Sequence, residues 1–345
     1  MFFKSFKITL IIIWLLSGTN SYAETKKFSP LPKDFSNNFT VGETEGLTGR
    51  ILFTAEIDGF ERILLLDLDN DLVTKVIDGP GSNSYPSWSP DGTHFSFASN
   101  RDGDYEIYIA DFEGKNIKQI TNNELEDHNP AWSNNGEEIL YYREKKSETK
   151  ELITNIFSYS LKTKKNTKLT NFKRGKNSTP RLSPDGKLIA FSTNRYWPGW
   201  DICIWNRARE SEDCVLTGTI SYCRPAWSAS GKLLAYSGGA FSGVDISIYN
   251  LESGNKKLIS DLEGREYDVV WSPSGRELAF AGEVETGKYN LFLDRQLRTS
   301  PLLKSKYSTR YLSWSSITTL ELEANKINTK DVPDEEQLLH PLFIQ

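Results

Sequence analysis

A short motif returns along this chain at a nearly constant interval, and no other feature constrains the fold as tightly. Tyr85-Pro86-Ser87-Trp88-Ser89-Pro90-Asp91-Gly92 comes back as Pro130-Ala131-Trp132-Ser133-Asn134-Asn135-Gly136, Pro180-Arg181-Leu182-Ser183-Pro184-Asp185-Gly186 and Pro225-Ala226-Trp227-Ser228-Ala229-Ser230-Gly231. Weaker copies stand at Val269-Val270-Trp271-Ser272-Pro273-Ser274-Gly275 and Leu312-Ser313-Trp314-Ser315. The motif serines are 44, 50, 45, 44 and 43 residues apart. A period of roughly 40–50 residues belongs to propeller blades or helical arrays.

The segments between copies decide between the two. Each unit adds three more short runs of β-branched and aromatic residues, separated by turn signals, such as Phe95-Ser96-Phe97-Ala98, Ile107-Tyr108-Ile109-Ala110 and Lys118-Gln119-Ile120-Thr121 in the second unit. No helical period of useful length intervenes. Four antiparallel strands per unit can bury their faces only against neighbouring units, and closing the ring removes the open ends. The sequence therefore predicts an all-β fold, a six-bladed β-propeller of four-stranded antiparallel blades over residues 49–322. Proline and glycine in Pro-Asp-Gly preset the turn after the first strand, and the repeating tryptophan is expected to pack between blades. The chain enters with a second-strand run, Ile51 to Thr54, and leaves with a lone first-strand run, Tyr311 to Ser315. The first blade should thus be closed by the C-terminal strand, with Ile317 to Leu322 as a possible rival strand.

The flanks read differently. Residues 1–23 have the form of a signal peptide: Lys4 and Lys7 ahead of an apolar run, then Ser21-Tyr22-Ala23 at a cleavage site. The alternative is an uncleaved anchor; no cysteine near the junction offers a lipid attachment point. Residues 24–48 read as a flexible N-terminal arm, and 323–345 as an acidic tail ending in Leu338-Leu339-His340-Pro341-Leu342-Phe343-Ile344. This predicts an exported, periplasmic or secreted protein with no stable membrane span after cleavage. A net charge of −5 without a basic block argues against nucleic acid as a partner.

Candidate site residues follow from the repeat. First strands of propeller blades line the central channel, so the residues just before the proline position should reach its mouth. These are Ser84-Tyr85, His128-Asn129, Ser178-Thr179, Cys223-Arg224, Tyr267-Asp268 and Arg310-Tyr311. From this ring we take Tyr85, His128, Asn129, Arg224, Tyr267, Asp268, Arg310 and Tyr311 as the partner- or ligand-binding set, against the plainer reading of a hydrated channel. Asp127 beside His128 suggests a base and its orienter, but neighbours on a strand point to opposite faces. Three histidines, one of them in the tail, leave no material for a metal cluster, and no nucleophile or phosphate-loop motif is present. We therefore expect no catalytic residues, no metal and no cofactor. Asp102-Gly103-Asp104 lacks the further ligands of a calcium loop and reads as a turn. Trp197 and Trp200, in Tyr196-Trp197-Pro198-Gly199-Trp200, form a possible exposed aromatic loop. Cys203 and Cys214 fall on the third and fourth strands of one hairpin, where a disulfide is possible and inert thiols are the alternative. Cys223 would then stand single.

Trp-Ser-Pro-Asp-Gly, Ser99-Asn100-Arg101-Asp102-Gly103-Asp104, Glu106-Ile107-Tyr108 and Ile120-Thr121 together resemble the TolB-type PD40 (WD40-like) β-propeller repeat family, over roughly Gly49 to Ser315. The resemblance implies a six-bladed propeller and a periplasmic setting in the Tol-Pal envelope system, where the TolB propeller binds the lipoprotein Pal across its channel mouth. TolB carries an α/β domain ahead of its propeller; residues 24–48 are too few for one, so the chain reads as a propeller-only relative. The implied function is a non-enzymatic interaction scaffold or adaptor, expected to be a monomer, with an envelope protein such as a Pal-like lipoprotein as partner. Carbohydrate or small-ligand binding at the channel mouth, or less readily lyase or hydrolase chemistry, is the alternative.

Overall fold

The computed structural model describes residues 33–318 and 321, apart from 147–150, 197 and 241–242. The expected signal peptide and acidic tail lie outside these residues. Five sheets have four strands and one has five, and every pairing within them is antiparallel. They are the six blades of a propeller. The innermost strands are Thr309–Ser315 in blade 1, then Asn83–Trp88, Glu126–Trp132, Asn177–Leu182, Ser221–Trp227 and Glu266–Trp271 in blades 2 to 6.

The core is divided as a ring requires. Six separate apolar clusters are found, each drawing on two adjacent blades. The repeating tryptophan belongs to them: Trp88 between blades 1 and 2, Trp227 between 4 and 5, Trp271 between 5 and 6. The indole N–H of Trp227 donates to Arg181 O of the preceding blade at 2.9 Å, and that of Trp271 donates to Ala226 O at 3.1 Å. Leu182 takes the same place between blades 3 and 4.

The motif serine locks the turn that follows it. Ser89 Oγ accepts the His94 N–H at 3.0 Å and donates to Asp91 Oδ1 at 2.6 Å, while Gly92 takes a φ of 64°. Ser133 with Asn135 and Ser183 with Asp185 repeat the arrangement.

Blade 1 has no such turn, because its inner strand comes from the far end of the chain. Thr309–Ser315 pairs with Arg50–Ile57, as the order of copies predicts. At the break, Arg50 is fully buried and acts as a clasp. Its Nε donates to Ile317 O and its Nη2 to Gly92 O, both at 2.9 Å, and the guanidinium lies 4.5 Å from the Trp88 ring. Ile317 packs against the cluster between blades 1 and 2, and neither it nor Thr318 belongs to a strand.

One expectation needs correction. Within the stretch 24–48, read as a flexible arm, Lys33–Ser36 is helical and Phe39–Val41 is a fifth strand on the outer edge of blade 6, paired with Thr299–Ser305. Phe39 packs against Phe35, Phe53 and Tyr307. Covering an exposed edge explains the strand; three residues in a polar context give no periodicity from which to read it.

Candidate functional site in the axial channel

All six inner strands carry the same irregularity. In blade 2, Ser84 faces Ala98 and Ser87 faces Ser96, so three steps on the inner strand oppose two on its partner. The same one-residue bulge recurs in the other five blades. At each bulge one non-glycine residue adopts a left-handed φ between 52° and 61°: Tyr85, Asn129, Thr179, Arg224, Asp268 and Tyr311. A bulge re-aims side chains. Here it brings consecutive residues into one cluster, as with Tyr267 and Asp268 around Arg224, which strict alternation forbids.

The expected residues do come together. Arg224, Asp268 and Arg310 form a triad across blades 5, 6 and 1: Arg224 Nη1 pairs with Asp268 Oδ1, and Arg310 Nε donates to Asp268 Oδ2 at 2.9 Å. Burial works against the Asp268 carboxylate, but the two guanidiniums outweigh it and hold its pKa below the usual range. Tyrosines close around the triad. The Arg224 guanidinium lies 5.2 Å from the Tyr267 ring and 5.4 Å from Tyr311; that of Arg310 lies 4.8 Å from Tyr267 and 4.7 Å from Tyr289. The Tyr85 and Tyr311 rings meet at a tilt with centroids 4.1 Å apart, their hydroxyls 3.3 Å apart. Burial pushes the Tyr85 phenol up.

His128 sits among Tyr85, Tyr105 and Tyr142, with ring centroids 6.4, 4.6 and 5.4 Å away. Desolvation lowers its pKa to about 4, so the imidazole is neutral near pH 7. Asp127 is not its orienter: that carboxylate is fully buried and bound by Arg143 at 2.7 Å through both oxygens. Asn129 accepts from Arg181 Nη1 at 2.7 Å. Arg310 Nη2 and His128 Nδ1 are buried without a partner on the described protein.

Trp200 lies elsewhere, at the seam of blades 4 and 5, where its carbonyl accepts the Tyr222 N–H at 2.7 Å. Trp197 lies outside the described residues. Cys203 and Cys214 face each other across the third and fourth strands of blade 4 and form a disulfide, a bond that persists in oxidising compartments. Cys223 is free, and burial pushes its thiol up.

Tyr105, Tyr142, Tyr289 and Arg181 were not among the expected site residues. Tyr142 is the register partner of His128, so pairing the hairpins residue by residue would have found it. Tyr105 and Tyr289 stand at the feet of third strands, which return to the same mouth.

Comparison with known proteins fits the fold. Residues 47–197 match the family model of the TolB beta propeller domain, PD40. TolB from Acinetobacter baumannii superposes with a TM-score of 0.65 at 21% identity, over 77% of this chain and 66% of that one. A putative TolB from Agrobacterium tumefaciens gives 0.57 at 15% identity, over 78% of this chain and 100% of its own. Oligogalacturonate lyase from Vibrio parahaemolyticus gives 0.54 at 12% identity, over 77% and 84%. No curated protein matches the sequence.

Proposed function

We propose that this chain, whose residues 47–197 match the model of the TolB beta propeller domain (PD40), is a non-enzymatic adaptor of the cell envelope, exported through its N-terminal segment and binding a protein partner at the tyrosine-lined mouth. Protein-interaction hot spots are rich in tyrosine and arginine, set in desolvated pockets. The observation that carries the reading is the cluster of Tyr85, Tyr267, Tyr289 and Tyr311 around Arg224 and Arg310, with Arg310 Nη2 left unpaired. That composition fits a protein surface, and a Pal-like lipoprotein is the partner that the family resemblance suggests.

The test is direct. A photo-crosslinker placed at Tyr311 of the mature chain should capture one envelope lipoprotein in cells. Titration of that purified lipoprotein should saturate with the native chain and weaken by more than about 30-fold in an Arg224→Ala/Arg310→Ala double variant. Unchanged affinity in the double variant would remove the mouth as the binding surface.

A further inference from the structure

The opposite end of the channel carries a second site. Two residues before each motif serine, five blades place Ser87, Ala131, Ala226, Val270 and Ser313, all short side chains, and the sixth places Arg181. The short residues leave a funnel of about 240 Å³, walled by Trp132, Trp227, Trp271 and Trp314. Arg181 lines both this funnel and a narrow cavity of about 30 Å³ around Asn129, Arg224 and Asp268. It is therefore the floor of the funnel.

Its hydrogen-bond partners are uncharged. Arg181 Nη1 donates to Asn129 Oδ1 at 2.7 Å and to Pro180 O at 2.9 Å, and among the described residues no carboxylate forms an ion pair with it. The only carboxylate in the adjoining cavity, Asp268, is shared by Arg224 and Arg310. Three guanidiniums thus meet one carboxylate along the axis. A buried cation whose nearest counter-charge is shared with two other guanidiniums is costly, and an anion arriving beside it relieves that cost. Desolvation also brings the Arg181 pKa down to about 10. In the same wall the Trp132 indole N–H is buried with no acceptor.

We propose that the tryptophan-walled funnel binds a small-molecule carboxylate with a flat apolar body, its carboxylate on Arg181 and its ring among the indoles. The size is right. An apolar cavity of roughly 150 Å³ holds benzene, so about 240 Å³ takes a ring and a short carboxylate-bearing chain. The funnel opens at the other end of the channel from the tyrosine-lined mouth, and Arg181 joins the two through Asn129.

Calorimetric titration with benzoate, phenylacetate and 3-phenylpropanoate, each beside its neutral amide, tests the proposal on the full propeller. At least one acid should bind saturably and its amide more than about tenfold more weakly. Arg181→Gln should lose the acid by a similar factor, and Arg181→Lys should retain part of it. Ala226→Phe, which fills the funnel and leaves Arg181 in place, should abolish binding and serves if Arg181→Gln does not fold. Equal binding of acid and amide, no binding of any acid, or full binding by Ala226→Phe overturns the proposal.

Discussion

The two ends of the channel are built from the same six strands, yet they obey different rules. At the tryptophan end the side chains repeat: a serine that locks a turn, and an indole that bridges two blades. At the tyrosine end the backbone repeats and the side chains do not. Six bulges with nearly identical φ carry Tyr85, Asn129, Thr179, Arg224, Asp268 and Tyr311 in turn. Each left-handed non-glycine residue costs roughly 1–2 kcal/mol. Six of the thirteen such residues among the described ones stand in the candidate site, one on each inner strand, where backbone strain serves function. The difference teaches that repetition of side chains marks what holds the ring, whereas repetition of backbone under varied side chains marks what the ring presents.

Substitutions should separate the two ends. The largest effect is expected at the clasp. Arg50→Ala strands the carbonyls of Ile317 and Gly92 and opens a cavity beside Trp88. Relief of a guanidinium that burial has already brought down to about 10 offsets part of this. We expect a net loss of about 3–5 kcal/mol, read as a thermal midpoint lowered by roughly 10 °C. Arg50→Lys should not rescue it, because an ammonium lacks the planar fork that reaches two carbonyls. A midpoint within about 2 °C of the native one would mean that Arg50 does not close the ring.

Next comes the disulfide, which lies in a blade rather than at either end. Cys203→Ser opens a loop with a sequence separation of 11 and should cost about 2–4 kcal/mol. Partner binding at the tyrosine mouth should stay intact. A parallel loss of binding would show that the rigidity of blade 4 reaches the mouth.

Legibility in the sequence followed the same division. The ring, its blade number and its closure by Thr309–Ser315 could be read because turn and seam residues recur as letters. The mouth residues could be located by counting back from the motif serine, but their partners could not. Arg224 meets Asp268 and Arg310 only because the bulge turns consecutive residues inward, and a bulge made from Tyr, Asn, Thr, Arg and Asp has no sequence signature. The Asp127 pairing was hidden for a similar reason: its partner Arg143 comes from the second strand at a matching register. Arg181 was passed over because its place opposite five short residues has meaning only once the funnel is seen.

A smaller effect should appear at the mouth itself. Arg310→Ala leaves Asp268 paired with Arg224, so the fold should lose little, within about 1 kcal/mol. Partner affinity should nonetheless fall by about 2 kcal/mol, roughly 30-fold, since the guanidinium spans Tyr267, Tyr289 and Tyr311. Equal losses of stability and affinity would make Arg310 a structural residue and blur the contrast between the ends.

The last effect is one of pH and concerns charge buried beside the tyrosine end. Glu106 accepts from Thr121 Oγ1 and from the Asn123 backbone and side chain, and Asn123 Nδ2 also reaches Asp127 Oδ2 at 3.1 Å. Desolvation raises the Glu106 carboxyl from 4.5 to about 8; the Thr121 donor opposes this and Asp127 adds to it. The folded state therefore keeps a proton that the unfolded chain releases above pH 4.5. This contribution lowers stability as pH rises from 4.5 to about 8 and levels off beyond. Glu106→Gln removes it, because an amide does not titrate. The thermal midpoint of the variant, taken relative to the native chain, should thus climb between pH 5 and pH 8. A flat difference across that window would place the ionised form of Glu106 in the fold, and the tyrosine end would then hold a stable anion rather than a protonated carboxyl.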